Sequence, residues 1–155
     1  MKGDERIIAL LNNLLADELT AINQYMVHSE MCNNWRFERL HKAAEARAIQ
    51  EMKHAEKLIG RILFLEGTPI VSNLKTIHIG ATIEAQHKND MAAEVDAVKA
   101  YNDGIQKAVA VGDNGTRELL ESILVDEEEH LDWLEAQVTQ IGQMGIQTYL
   151  VEQIG

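Results

Sequence analysis

Two Glu-x-x-His motifs, Glu51-Met52-Lys53-His54 and Glu127-Glu128-Glu129-His130, stand 76 residues apart, and each has a glutamate 33 residues upstream, Glu18 and Glu94. Tyr25 and Tyr101 keep the same offset of 76. One Glu-x-x-His alone is most often a solvated helix face. Doubled, with the extra glutamates, it supplies four carboxylates and two imidazoles. Helix bundles hold two metal ions with this set, one Glu from each of two helices and one Glu-x-x-His from each of the other two. A structural zinc site would use four ligands, often thiolates, whereas six mostly oxygen ligands suit iron or manganese. Two adjacent Fe(II) ions can deliver two electrons to one O₂, taking it to the peroxide level without releasing superoxide.

The six residues do this only if they point inward, and the apolar periodicity says that they do. Glu18 shares a helical stripe with Leu11, Leu14, Leu15, Ile22 and Tyr25; Glu51 and His54 share one with Leu40, Ala44, Leu58 and Ile62. Glu94 lies with Met91, Val98, Tyr101 and Ile105, and Glu127 and His130 lie with Leu120, Ile123, Leu134 and Val138. Burying unpaired carboxylates costs several kcal/mol each, and four that repel one another cost more. Two divalent cations would cancel the four negative charges. In the acidic run from Asp126 to Glu129, Glu127 is the inward residue, three before His130 on the same face, and Glu128 and Glu129 read as solvated. Tyr25 and Tyr101 are placed to hydrogen-bond the glutamates, or simply to fill space. His28, His41, His78 and His87 lack such a carboxylate pattern and read as surface or packing residues; Cys32 reads as a small residue near a helix end.

The patterning predicts helices over about 5–32, 37–65, 83–111 and 116–142, with a short fifth helix over about 144–154. Asn33-Asn34 breaks the first, Glu66-Gly67-Thr68-Pro69 stops the second, and Gly112-Asp113-Asn114-Gly115 ends the third and caps the fourth. Residues 67–81 are too many for a tight hairpin, so two antiparallel hairpins joined by one long crossover are expected. The expected fold class is therefore all-α: a four-helix bundle over about 5–142, with one long crossover and a short C-terminal helix, within a single domain spanning 1–155. Ile146, Tyr149, Leu150 and Ile154 of the fifth segment have no place in a four-helix core and call for partners.

The bulk properties agree. The chain has 155 residues, 46% of them hydrophobic, a single proline and a net charge of −11. Nucleic acid is thus an unsuitable partner, and an acidic surface suits cation recruitment. No stretch approaches a membrane span, and the N-terminus lacks a signal-peptide apolar region. The single cysteine excludes an internal disulfide and fits a cytoplasmic location.

At this point the sequence resembles the bacterioferritins. The likeness is carried by Leu15-Ala16-Asp17-Glu18-Leu19-Thr20-Ala21-Ile22-Asn23-Gln24-Tyr25, by Glu51 through Glu56, by Arg61-Ile62-Leu63-Phe64-Leu65-Glu66-Gly67 and by Asp126 through Leu134. It covers essentially the whole chain and implies a ferritin-like bundle in a hollow cage of 24 subunits. It further implies a ferroxidase that oxidises Fe(II) with O₂ or peroxide and stores a ferric mineral. The di-iron ligands it implies are Glu18, Glu51, His54, Glu94, Glu127 and His130, the six that spacing selects. Glu51 and Glu127 are the expected bridges, because each shares a face with one histidine, which leaves Glu18 and Glu94 terminal.

The resemblance also implies haem b, one per two subunits, held at a twofold interface by Met52 of each chain, with Leu19, Ile22, Asn23, Met26 and Ala48 nearby. A small [2Fe-2S] ferredoxin would deliver electrons during iron release. Some members carry an accessory iron site on the inner cage surface, but Ala46, Arg47 and Gln50 stand at the corresponding positions and do not favour it. Two other readings use the same residues. One is a rubrerythrin-like di-iron peroxidase or oxidase without storage, against which a single cysteine speaks. The other is a haem-binding electron-transfer shell, against which the complete ligand set speaks.

Overall fold

The computed structural model describes all 155 residues as five helices and no strand: α1 (Glu5–Asn34), α2 (Glu38–Phe64), α3 (Ile83–Ala110), α4 (Asn114–Met144) and α5 (Ile146–Val151). The first four form an antiparallel bundle, and none of the helices is long and apolar enough to cross a membrane. Helix starts follow local chemistry. Asp4 accepts a hydrogen bond from the Arg6 N–H, Thr82 from Ala85 and Asp113 from Thr116, each satisfying an amide that the helix itself leaves free. Arg61 near the end of α2 bonds both Asp113 and Thr116, tying that end to the start of α4.

The Asn33-Asn34 pair does not stop α1 as expected. The helix runs through both, and the chain reverses at Arg36, which takes the left-handed conformation. The fifth helix is shorter than the expected 144–154. Gly145, at φ +79, turns the chain, and only Ile146–Val151 is helical.

Two apolar clusters occupy the ends of the bundle. One gathers Leu11, Leu14, Leu15, Leu58, Ile62, Leu120 and Ile123; the other gathers Cys32, Leu40, Ile83 and Tyr149. Between them, in the middle of each long helix, lies a polar layer. Tyr149 corrects the expectation that α5 has no place in the core. It is fully buried in its own chain, where its hydroxyl donates to Gln137 Oε1 at 2.5 Å and meets His87 Nε2 at 3.0 Å. Ile146 and Leu150 pack beside it, and among the apolar side chains after Gly145 only Val151 and Ile154 stay largely exposed.

The crossover, residues 65–82, carries no regular structure and is strapped to one face of α1. Asn12, Thr20, Gln24 and His28, at multiples of four residues, accept the backbone N–H groups of Ile70, Lys75, His78 and Gly80. Gly80 is needed at its position, because a Cβ there would strike the backbone of Ala85 and Gln86. Since His28 Nε2 accepts from Gly80, its Nδ1–H donates to Asp90 Oδ1 at 2.9 Å. His28 therefore has the carboxylate partner that its sequence neighbourhood did not reveal.

Candidate metal centre

Each long helix sends its ligand-type side chains into the polar layer at one level: Glu18 from α1, Glu51 and His54 from α2, Glu94 from α3, Glu127 and His130 from α4. All six are 1–2% exposed. Their ligand atoms form two overlapping groups, Glu18, Glu51, His54 and Glu127 in one, Glu51, Glu94, Glu127 and His130 in the other, each within 4.8 Å. Glu51 and Glu127 belong to both groups. His54 Nδ1 stands 3.0 Å from Glu127 Oε1 and 3.6 Å from Glu18 Oε2; His130 Nδ1 stands 3.3 Å from Glu51 Oε1 and 3.5 Å from Glu94 Oε1.

Buried side-chain atoms without any hydrogen-bond partner occur at six places only: Glu18 Oε2, Glu51 Oε1, His54 Nδ1, Glu94 Oε2, Glu127 Oε1 and His130 Nδ1. That is one atom from each of the six residues. Buried polar atoms are nearly always satisfied, so six orphans converging on one volume mark a place built for something electropositive. Oxygen-rich donors with two imidazole nitrogens fit hard to borderline divalent cations. Without a cation the cluster stays protonated beyond the ordinary carboxylate range. Burial, together with repulsion from Glu127 and Glu94, pushes Glu18 up to about 8. Burial raises Glu51 and Glu94 well above the usual value, and Glu127 as well. Burial depresses the His54 imidazole, but the neighbouring carboxylates of Glu127, Glu51 and Asp126 outweigh that and raise it.

The groups behind these six exchange between the two halves of the repeat. Tyr25 on α1 donates to Glu94 Oε1 at 2.6 Å, and Tyr101 on α3 donates to Glu18 Oε1 at 2.5 Å. Both tyrosines are buried and so make the glutamate bonds considered for them. Asp126 Oδ2 lies 2.8 Å from His54 Nε2, and Gln50 Oε1 lies 2.5 Å from His130 Nε2. Periodicity alone assigns this pair no role, although 50 and 126 are also 76 apart and each precedes its motif by one residue. Gln50 also accepts from Arg47 Nη1 at 2.8 Å. Glu128 and Glu129 are exposed, as read from the run, and so is His78; His87 is buried against Trp133 and Tyr149.

A cavity of about 550 Å³ connects the cluster to solvent between α1, α3 and the crossover. Glu18, Glu51, Glu94 and Glu127 form its floor, and Asp17, Lys75, His78 and Asp96 line its outer part. Lys75 is ion-paired with Asp17 there. On the outward faces of α1 and α2, Met26, Ile49 and Met52 are about half exposed.

Comparison with known proteins gives a consistent picture. The ferritin family profile, described as a ferritin-like domain, matches residues 8–144. The chain is similar to a bacterioferritin of Mycobacterium leprae, 40% identical over 149 residues covering 96% of this chain and 94% of the relative. It is also similar to a bacterioferritin of Rhodobacter capsulatus, 40% identical, covering 96% and 92% of the two chains. A bacterioferritin of Brucella melitensis is 36% identical over the same shares.

Proposed function

The chain belongs to the ferritin-like family and, within it, to the bacterioferritins, and on that premise we propose that it stores iron by oxidising Fe(II) at the six-residue cluster and depositing ferric mineral inside a shell of its own copies. The observation that carries this reading is the set of six orphaned buried atoms, one from each of Glu18, Glu51, His54, Glu94, Glu127 and His130. Two Fe(II) ions are the substrate. Each loses one electron, and O₂ takes both electrons with two protons to leave as H₂O₂; peroxide can serve as oxidant in its place.

The chain's own contribution is placement. Glu51 and Glu127 reach both halves of the cluster, which suits them to hold both ions, while Glu18 and Glu94 would each serve one. Tyr25 and Tyr101 fix the orientation of the terminal carboxylates through their short hydrogen bonds. Neutral imidazoles present Nδ1 to the metal while Nε2 is held from behind. The cavity walled by Asp17, Lys75 and His78 gives Fe(II) a path from solvent to the carboxylates, and its floor supplies the negative potential that draws cations in.

The reading extends to the assembly: 24 copies in a closed shell, haem b at twofold interfaces with Met52 of each chain as axial ligand, and a small [2Fe-2S] ferredoxin as electron donor for iron release. Met52 is 45% exposed on an apolar outward strip of α2 with Ile49, which fits a ligand that needs a second chain to complete its pocket. Haem would supply an electron path through the shell. Size-exclusion chromatography with absorbance spectra, before and after aerobic Fe(II) addition, tests the whole reading. A shell-sized particle that gains ferric absorbance and keeps its iron supports it; a monomer, or a particle that binds no iron, overturns it.

A further inference from the structure

The two halves of the cluster are built from repeat-mates, yet the groups behind their histidines differ in charge. Both His54 and His130 turn an unpartnered Nδ1 toward the cluster, so in each neutral ring Nε2 carries the proton and donates it outward. His54 donates to the carboxylate of Asp126 at 2.8 Å. His130 donates to the amide oxygen of Gln50 at 2.5 Å, and that same oxygen accepts from the guanidinium of Arg47 at 2.8 Å. Arg47 has no counterpart in the other half, since the residue 76 positions on is Ile123, which is fully buried in the apolar core.

The consequence is a charge gradient along the line joining the two metal positions. A carboxylate behind a ligating imidazole raises the basicity of the nitrogen that faces the metal and sets a negative charge behind it. An amide oxygen already shared with a guanidinium does the reverse, drawing density from the ring and setting a positive charge behind it. We infer that the two metal positions are unequal by design. The position served by Glu18 and His54 takes the first divalent cation and holds it more tightly than the position served by Glu94 and His130, and Asp126 and Arg47 set the difference. Both are positioning residues, acting through the histidines. The inference rests on the reading of the six side chains as a two-metal centre and adds an order of filling to it.

Two dications placed side by side repel, so stepwise filling would occur even in a symmetric site. The informative quantities are which histidine the first step needs and how each step moves when the flanking charges are removed. Anaerobic titration of the assembled apo-protein with Co(II), which does not react with the cluster by electron transfer, reads both steps from its ligand-field absorption. His130→Ala should keep the tight step and His54→Ala should lose it. Asp126→Asn keeps an oxygen to accept from His54 but removes the charge, and should weaken the tight step by roughly 10- to 100-fold. Arg47→Met should tighten the second step and leave the first in place. Unaltered circular-dichroism melting and particle size in these variants confine the effect to the site.

A tight step that survives His54→Ala, or steps that neither Asp126→Asn nor Arg47→Met moves, would overturn the inference while leaving the two-metal centre standing. Failure of the parent to bind two Co(II) per subunit, or binding that persists when Glu51 and Glu127 are both replaced by alanine, would remove the centre and the inference together.

Discussion

Replacing Glu18 by glutamine should make the metal-free protein more stable at pH 8 and leave it nearly unchanged at pH 5. Glu18 is 2% exposed, faces the carboxylates of Glu94 and Glu127, and ionises only near pH 8 because burial and that repulsion oppose its charge. A carboxyl whose folded value lies above its unfolded value of 4.5 holds its proton more tightly in the folded state. Its contribution to stability is therefore complete below pH 4.5 and is lost as the pH rises through about 8. Moving the midpoint from 4.5 to about 8 corresponds to roughly 5 kcal/mol, at about 1.4 kcal/mol per pH unit. Glutamine has nearly the same shape, keeps an oxygen to accept the Tyr101 hydroxyl and never ionises.

The apo-variant should thus gain about 3–5 kcal/mol at pH 8, on the order of 10 °C in Tm for a chain of this size. Divalent metal should show the complementary pattern, stabilising the parent most at pH 8 and the variant far less, because binding removes a repulsion that the variant lacks in part. Scanning calorimetry of metal-free protein at pH 5 and pH 8, with and without Co(II), measures all four quantities. A variant less stable than the parent at pH 8, or a difference of equal size at both pH values, would refute the reasoning that the cluster stores carboxylate repulsion for a cation to relieve.

Other predictions follow from the same structure. Met52→Leu should abolish a low-spin haem spectrum, with its saturation near one haem per two subunits, while Fe(II) oxidation at the cluster persists; an unchanged spectrum would move the axial ligand elsewhere. Burial holds the His87 imidazole down to about 4 against an ordinary 6.5, so the folded state binds its proton less readily and loses stability as the pH falls from about 6.5 to about 4. Because His87 packs against Tyr149, the protection factors of the Ile146–Val151 amides, with exchange rates corrected for their intrinsic pH dependence, should fall between pH 7 and pH 5. Val151→Asp with Ile154→Asp alters only side chains that are 64% and 58% exposed, and should impair assembly on size-exclusion while helicity is kept.

The pattern of what the residues disclosed has a physical reason. The helix stripes and the offset of 76 select six side chains that do converge, because in a bundle a residue's inward direction is set by helix period alone. Hairpins of equal length then return both motifs to one level. Asp126 and Gln50 obey the same offset but sit about 100° around the helix from Glu127 and Glu51, aimed at the neighbouring helix rather than the centre. Their partner therefore depends on how α2 and α4 abut, which periodicity does not encode. His28 finds Asp90, 62 residues away, and Tyr149 finds His87, also 62 residues away, through the docking of whole elements. The crossover is the same case, since its amides are satisfied by α1 side chains at four-residue spacing that looks, in the sequence, like an ordinary polar helix face.

Rapid mixing of Fe(II) with oxygenated apo-protein, at two Fe(II) per subunit and read in the ferric absorbance region, is the most direct trial of the cluster as a ferroxidase. The parent should show a fast phase that saturates at that ratio. Glu51→Ala and Glu127→Ala, each of which removes a carboxylate common to both halves, should slow it by orders of magnitude. Glu18→Ala and Glu94→Ala should slow it less, since water replaces a terminal ligand more readily than a bridge. Oxidation in the Glu51→Ala and Glu127→Ala variants as fast as in the parent would contradict the assignment of this site.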